Sequence, residues 1–132
     1  MAAFCVLIVD DNRLFLESAR DLLEQGGIRV VGVAANSAEA LRRARELRPD
    51  VVLVDVMLGD ENGIELAQRL AADYREGGPT VILISTYSAT DFSGRVAGAP
   101  VTSFMRKQEL SASAIRRVVY GESPAGPPEA SA

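Results

Sequence analysis

The sequence predicts an α/β fold, a doubly wound sheet of five parallel strands with helices on both faces. Three observations lead there. Val- and Ile-rich apolar runs of strand length occur at 4–9, 28–34, 51–54, 81–84 and, more weakly, 101–105. Stretches with helical spacing separate them. The runs are continuously apolar rather than alternating, as strands covered on both faces are. Five strand–helix units in succession imply a parallel sheet wrapped by helices, with right-handed crossovers.

The helices follow in order. Phe15, Ala19, Leu22 and Leu23 share a face, and Gly26-Gly27 ends that helix. Ser37 is read as the N-cap of a second helix with Leu41, Ala44 and Leu47 inward, stopped by Pro49. Asn62 and Glu65 resemble a capping box before Ile64, Ala67, Leu70, Ala71 and Tyr74. A fourth helix, about 90–98, is weakened by Gly94 and Gly98. A fifth starts near Ser111, buries Ile115, Val118 and Val119, and is about one turn short. One domain is expected over residues 1–120. Residues 121–132, rich in Pro, Gly, Ala and Ser, form a disordered tail or linker.

Composition narrows the function. The chain has 132 residues, 48% apolar and 24% charged, with a net charge of −4. A mildly acidic body argues against a nucleic-acid surface that neutralises phosphates. Cys5 is the single cysteine and lies in an apolar run, where a buried thiol acts as a small hydrophobe. No run reaches the length of a membrane span, so a cytoplasmic location is expected. The absence of histidine excludes Ser-His-Asp and Cys-His catalysis. No P-loop and no dinucleotide fingerprint occur. Every base but one is arginine, the exception being Lys107.

Ligands in such sheets bind at the carboxyl ends of the strands. There the first run ends in Asp10-Asp11, the third in Asp55, the fourth in Ser85-Thr86, and the fifth in Phe104-Met105-Arg106-Lys107. Oxygen ligands alone suit a hard cation, Mg²⁺ or Mn²⁺. Asp10, Asp11 and Asp55 therefore read as an open metal site, against the alternative that aspartates here only cap helices and close turns. With Lys107 and Ser85 added, the pocket suits a phosphoryl group, and Asp55 is the candidate nucleophile for an aspartyl-phosphate.

On "VLIVDDN", "PDVVLVDVMLGDENGIEL", "VILIST" and "FMRK", the chain over about residues 3–120 resembles the receiver domain of two-component response regulators, most closely receivers of the LuxR class. The resemblance implies a flavodoxin-like sheet in strand order 2-1-3-4-5. It implies that Asp55 accepts phosphate from a sensor histidine kinase, and that Mg²⁺ is held by Asp10, Asp11, Asp55 and the Met57 backbone carbonyl. Lys107 would pair with the phosphoryl group, and Ser85 and Phe104 would act as the switch. The fourth helix, fifth strand and fifth helix would form the output face, also the face for a homodimer, with transcription regulated through an output domain outside these residues. Two alternatives stand beside it: a degenerate receiver serving as a constitutive interaction module, and a Mg²⁺-dependent aspartate-nucleophile phosphohydrolase. The second lacks its other acid, since Met57 stands two residues after Asp55. Departures from the family pattern are Gly59 for the usual proline, implying a more mobile loop, Gln108 after the lysine, and Thr86, expected to crowd Asp55.

Overall fold

The apolar runs become strands because alternate side chains of each run face opposite sides of one sheet, and both sides are covered. A computed structural model describes residues 4–73, 79–86 and 103–120. Its elements are β1 (Cys5–Val9), α1 (Arg13–Gln25), β2 (Arg29–Ala34), α2 (Ser37–Leu47), β3 (Val51–Asp55), β4 (Met57–Leu58), β5 (Glu61–Asn62), α3 (Gly63–Asp73), β6 (Thr80–Ser85), β7 (Ser103–Arg106), a 3₁₀ turn (Lys107–Glu109) and α4 (Ala112–Val119). The main sheet runs β2-β1-β3-β6-β7. All four of its ladders are parallel. This is the predicted doubly wound order.

Side-chain parity divides the core into two layers. Leu7, Val9, Val52, Val54, Val81 and Leu83 join Leu41 and Ala44 of α2 and Ile64, Leu66, Ala67 and Leu70 of α3. Val6, Ile8, Val51, Leu53, Ile82 and Ile84 join Leu16, Ala19 and Leu23 of α1 and Ile115 of α4. Neither face of the central strands has room for a polar side chain until the strand ends. No helix of the described residues is long and apolar enough to cross a membrane.

Several expectations need correction. The N-cap of α2 is Asn36, not Ser37: its side chain accepts from the Glu39 amide at 2.9 Å, and its extended backbone suits a cap. Leu22 and Leu47 are exposed rather than inward. The stripe of α1 is already filled by Leu16, Ala19 and Leu23, with Leu22 at its margin. Leu47 lies over Gly32 at the end of α2. Val118, Val119 and Cys5 are half-buried. The last helix starts next to Ser111, as expected, and Ser111 is its cap, accepting from the Ala114 amide at 3.0 Å. Asn62 caps α3, accepting from the amides of Ile64 at 2.8 Å and Glu65 at 3.4 Å. The fourth helix, Tyr74, the first residues of the last strand and the tail lie outside the described residues.

The amino-terminal rim of the sheet is closed by Asp50. Its carboxylate accepts from the Cys5 amide at 2.7 Å, its own amide donates to Cys5 at 2.8 Å, and its carbonyl accepts from Thr80 at 2.9 Å. One residue thus ties β1, β3 and β6 at the end opposite the acidic residues.

Candidate functional site

Parallel strands in this order bring the ends of β1, β3, β6 and β7 to one edge. Asp10 directly follows β1, Asp55 ends β3, Ser85 ends β6, and Lys107 opens the turn after β7. Asp10 and Asp55 are each bound locally through one oxygen. The Asn12 amide donates to Asp10 Oδ1 at 2.8 Å, and the Met57 amide donates to Asp55 Oδ1 at 3.1 Å. These are the Asx turns that aspartates make at strand ends, so the capping reading and the site reading both hold. The second oxygens turn inward. Lys107 Nζ lies 2.5 Å from Asp10 Oδ2 and 3.2 Å from Asp55 Oδ2. Asp10 is fully buried, Asp55 is buried and Asp11 is exposed.

Oxygens of Asp10, Asp11 and Asp55 all lie within 4.8 Å of one another. Three carboxylates against one ammonium leave an excess of negative charge in a half-enclosed site, where like charges at such distances repel by several kcal/mol. The carboxyl of Asp55 records this: burial and then the charge of Asp10 push its pKa from 3.8 up to about 6, against the opposing pull of the Met57 amide and Lys107. For Lys107, burial opposes the charge, but Asp10 and Asp55 outweigh it and raise its pKa. The donor set and its uncompensated charge fit a hard divalent cation.

The sign of the pH dependence follows. In the metal-free chain the folded state holds the Asp55 proton more tightly than the unfolded state does. Stability from this group is therefore lost as pH rises from about 4 to about 6. After allowance for partial solvent screening the effect is about 1–2 kcal/mol. Asp55→Asn is expected to remove that slope and raise the melting temperature at neutral pH by a few degrees, read by thermal unfolding in EDTA across pH 4–8. Lys107 acts in the same sense but at far higher pH, its contribution being lost as pH rises through its own raised value.

After Asp55 the chain forms a hairpin, β4 with β5, within the stretch that the sequence marks as a loop. Gly59 has φ 58° at the first of the two turn positions, Gly59-Asp60. That is the place where a type II′ hairpin turn takes glycine and where a proline cannot fit. A Cβ on Gly59 would stand 3.3 Å from Asp11 Oδ2, so the turn passes close to the acids. Glu61 reaches across to α2 and accepts from the Ser37 amide at 2.8 Å. Gly63 lies against the end of β3: a Cβ there would overlap the Asp55 carbonyl oxygen.

The remaining predicted residues fall nearby. Ser85 is buried, Phe104 is half-buried against the α2–α3 layer, and Met57 is exposed. Thr86 and Gln108 are exposed. Helical spacing marks Phe15 only as an inward helix residue. Its ring lies under Lys107, with Nζ 4.3 Å from the ring centroid. The lone lysine was the only sequence signal pointing toward this arrangement.

A model of the response regulator receiver domain matches residues 6–119. The chain belongs to this family. The receiver domain is 38% identical over 86 residues to protein-glutamate methylesterase/protein-glutamine glutaminase 3 of Hahella chejuensis, covering 65% of this chain and 24% of that protein. It is 34% identical over 103 residues to response regulator GacA of Pseudomonas viridiflava, covering 77% of this chain and 47% of that one. Among solved structures, a LuxR-family two-component response regulator from Aurantimonas sp. SI85-9A1 matches with a TM-score of 0.80 at 26% identity, over 92% of this chain and 88% of that chain. The receiver spans about a quarter of the length of that methylesterase and about half that of GacA.

Proposed function

We propose that this receiver takes a phosphoryl group on Asp55 from a sensor histidine kinase in the cytoplasm and passes the change to an output surface. The observation that carries the reading is the Lys107 ammonium set between Asp10 and Asp55, 2.5 Å from one and 3.2 Å from the other. A carboxylate oxygen of Asp55 attacks phosphorus as the bond from phosphorus to the donor's imidazole nitrogen breaks, and the leaving imidazole takes up a proton from solvent. Lys107 lies where it can neutralise charge on the transferred phosphoryl oxygens. Asp10, Asp11, Asp55 and the Met57 carbonyl are the ligands for Mg²⁺, with Mn²⁺ able to substitute. When bound, the ion supplies Lewis-acid charge to the phosphoryl oxygens.

Ser85 and Phe104 form the switch in this reading. β6 and β7 are paired, with Leu83 opposite Phe104. A hydroxyl drawn toward the phosphate at the end of β6 leaves space that Phe104 fills by changing rotamer, a local charge event read out on the face built by β7 and its flanking helices. A homodimer through that face, and control of transcription by an output domain, complete the proposal. The chain acts as a signalling acceptor rather than a turnover enzyme. The methylesterase relative supports no more than that, since the match covers 24% of that protein.

Acetyl phosphate with Mg²⁺ is expected to add one phosphate, mapped to Asp55 by mass spectrometry and abolished in Asp55→Asn. A wild-type chain that stays unmodified at saturating Mg²⁺ overturns the proposal in favour of a degenerate receiver. Turnover of many small phosphate esters would favour a phosphohydrolase.

A further inference from the structure

Lys107 makes one contact that the acceptor chemistry does not require. Its side chain is 13% exposed and its Nζ sits 4.3 Å from the centroid of the Phe15 ring. An ammonium within about 6 Å of an aromatic face is attracted by the ring quadrupole, and more strongly when water is excluded. Phe15 is well fixed for this. It lies in the first turn of α1, where its amide donates to the Asn12 side chain at 3.2 Å, and Asn12 in turn donates to Asp10. Its ring packs on the layer under α1. The next residue toward the N-terminus, Leu14, is 75% exposed, so the first turn of α1 turns its aromatic side chain rather than its leucine toward the lysine.

We infer that Phe15 is a positioning residue of this site, its ring holding the Lys107 ammonium beside Asp55 through a cation–π contact. The carboxylates that attract Lys107 are the groups whose charge changes during function, when they share a cation or when Asp55 carries phosphate. The quadrupole of the ring does not change. It supplies a constant attraction that keeps the ammonium in the pocket while its ionic partners vary. The inference rests on the acceptor reading for its kinetic test and for the changing charge of the carboxylates, while the contact itself stands apart from it.

Phe15→Tyr, Phe15→Leu and a series of fluorinated phenylalanines at position 15 separate this role from packing, because fluorination weakens the ring quadrupole with little change of shape. With acetyl phosphate and Mg²⁺, Phe15→Tyr is expected to label within about twofold of wild type and Phe15→Leu roughly 5- to 30-fold more slowly. The fluorinated series is expected to slow stepwise, with the melting temperature falling by no more than the weakened contact accounts for. By NMR, the ε-protons of Lys107 are expected upfield from the ring current in EDTA and to remain so with Mg²⁺. Leucine labelling at the wild-type rate, or no trend with fluorination, overturns the inference. If the wild type takes no label, the acceptor reading fails and the ring-current shift decides: unshifted ε-protons overturn the role of Phe15, and shifted ones uphold it.

Discussion

Lys107→Met is expected to destabilise the metal-free chain by about 3 kcal/mol at pH 8 and by much less at pH 5. Removing one partner of a buried ion pair leaves an uncompensated charge, a loss of about 3–5 kcal/mol, here at the low end because Asp55 is not fully enclosed. Two carboxylates would then face each other where an ammonium had bridged them at 2.5 Å and 3.2 Å. Below the raised pKa of Asp55, about 6 in the intact site, protonation relieves the repulsion, so the deficit shrinks as pH falls. Saturating Mg²⁺ should recover much of it, because an ion that binds only the folded state stabilises by mass action. Urea unfolding at both pH values, with EDTA and with Mg²⁺, measures each term. An equal deficit under all four conditions would mean that Lys107 contributes packing and not charge.

Gly63→Ala should damage the site from the opposite side. The added methyl would overlap the Asp55 carbonyl and crowd the Val56 backbone, and neither can retreat, because the Gly63 amide donates to the Val56 carbonyl at 2.8 Å. Forced overpacking of this kind costs about 1–3 kcal/mol. The displaced atoms belong to Asp55, the proposed acceptor, so its labelling should fall severalfold even at temperatures where the variant is fully folded. Unfolding curves and labelling rates together check this. A variant that loses stability but labels at the wild-type rate would show that the strain relaxes away from Asp55.

Much of this was legible because the fold repeats one rule. Strands filled on both faces must read as unbroken apolar runs, and β1, β3 and β6 do. Their polar residues could then lie only at the ends, which pointed to Asp10, Asp55 and Ser85 without any geometry. What stayed hidden depends on contacts between distant segments or on fine competition within them. Asn36 and Ser37 are both good caps, and only the backbone angles decide between them. Gly59 marks a break in the family pattern, but that it builds a hairpin turn depends on the pairing of Met57 with Asn62. The ring of Phe15 meets Lys107 across 92 positions of sequence, and helical spacing could report no more than that Phe15 faces inward.

The bridge made by Asp50 has a consequence for how such a domain tolerates change. Cohesion of the central strands is anchored at the floor of the sheet, while charge is concentrated at its roof. Tension created above, by repulsion among acids or by a newly attached anion, meets a foundation that does not share those atoms. A change at the floor can therefore loosen the strands while leaving the acidic atoms in place, whereas a change at the roof reaches reactivity and solidity together.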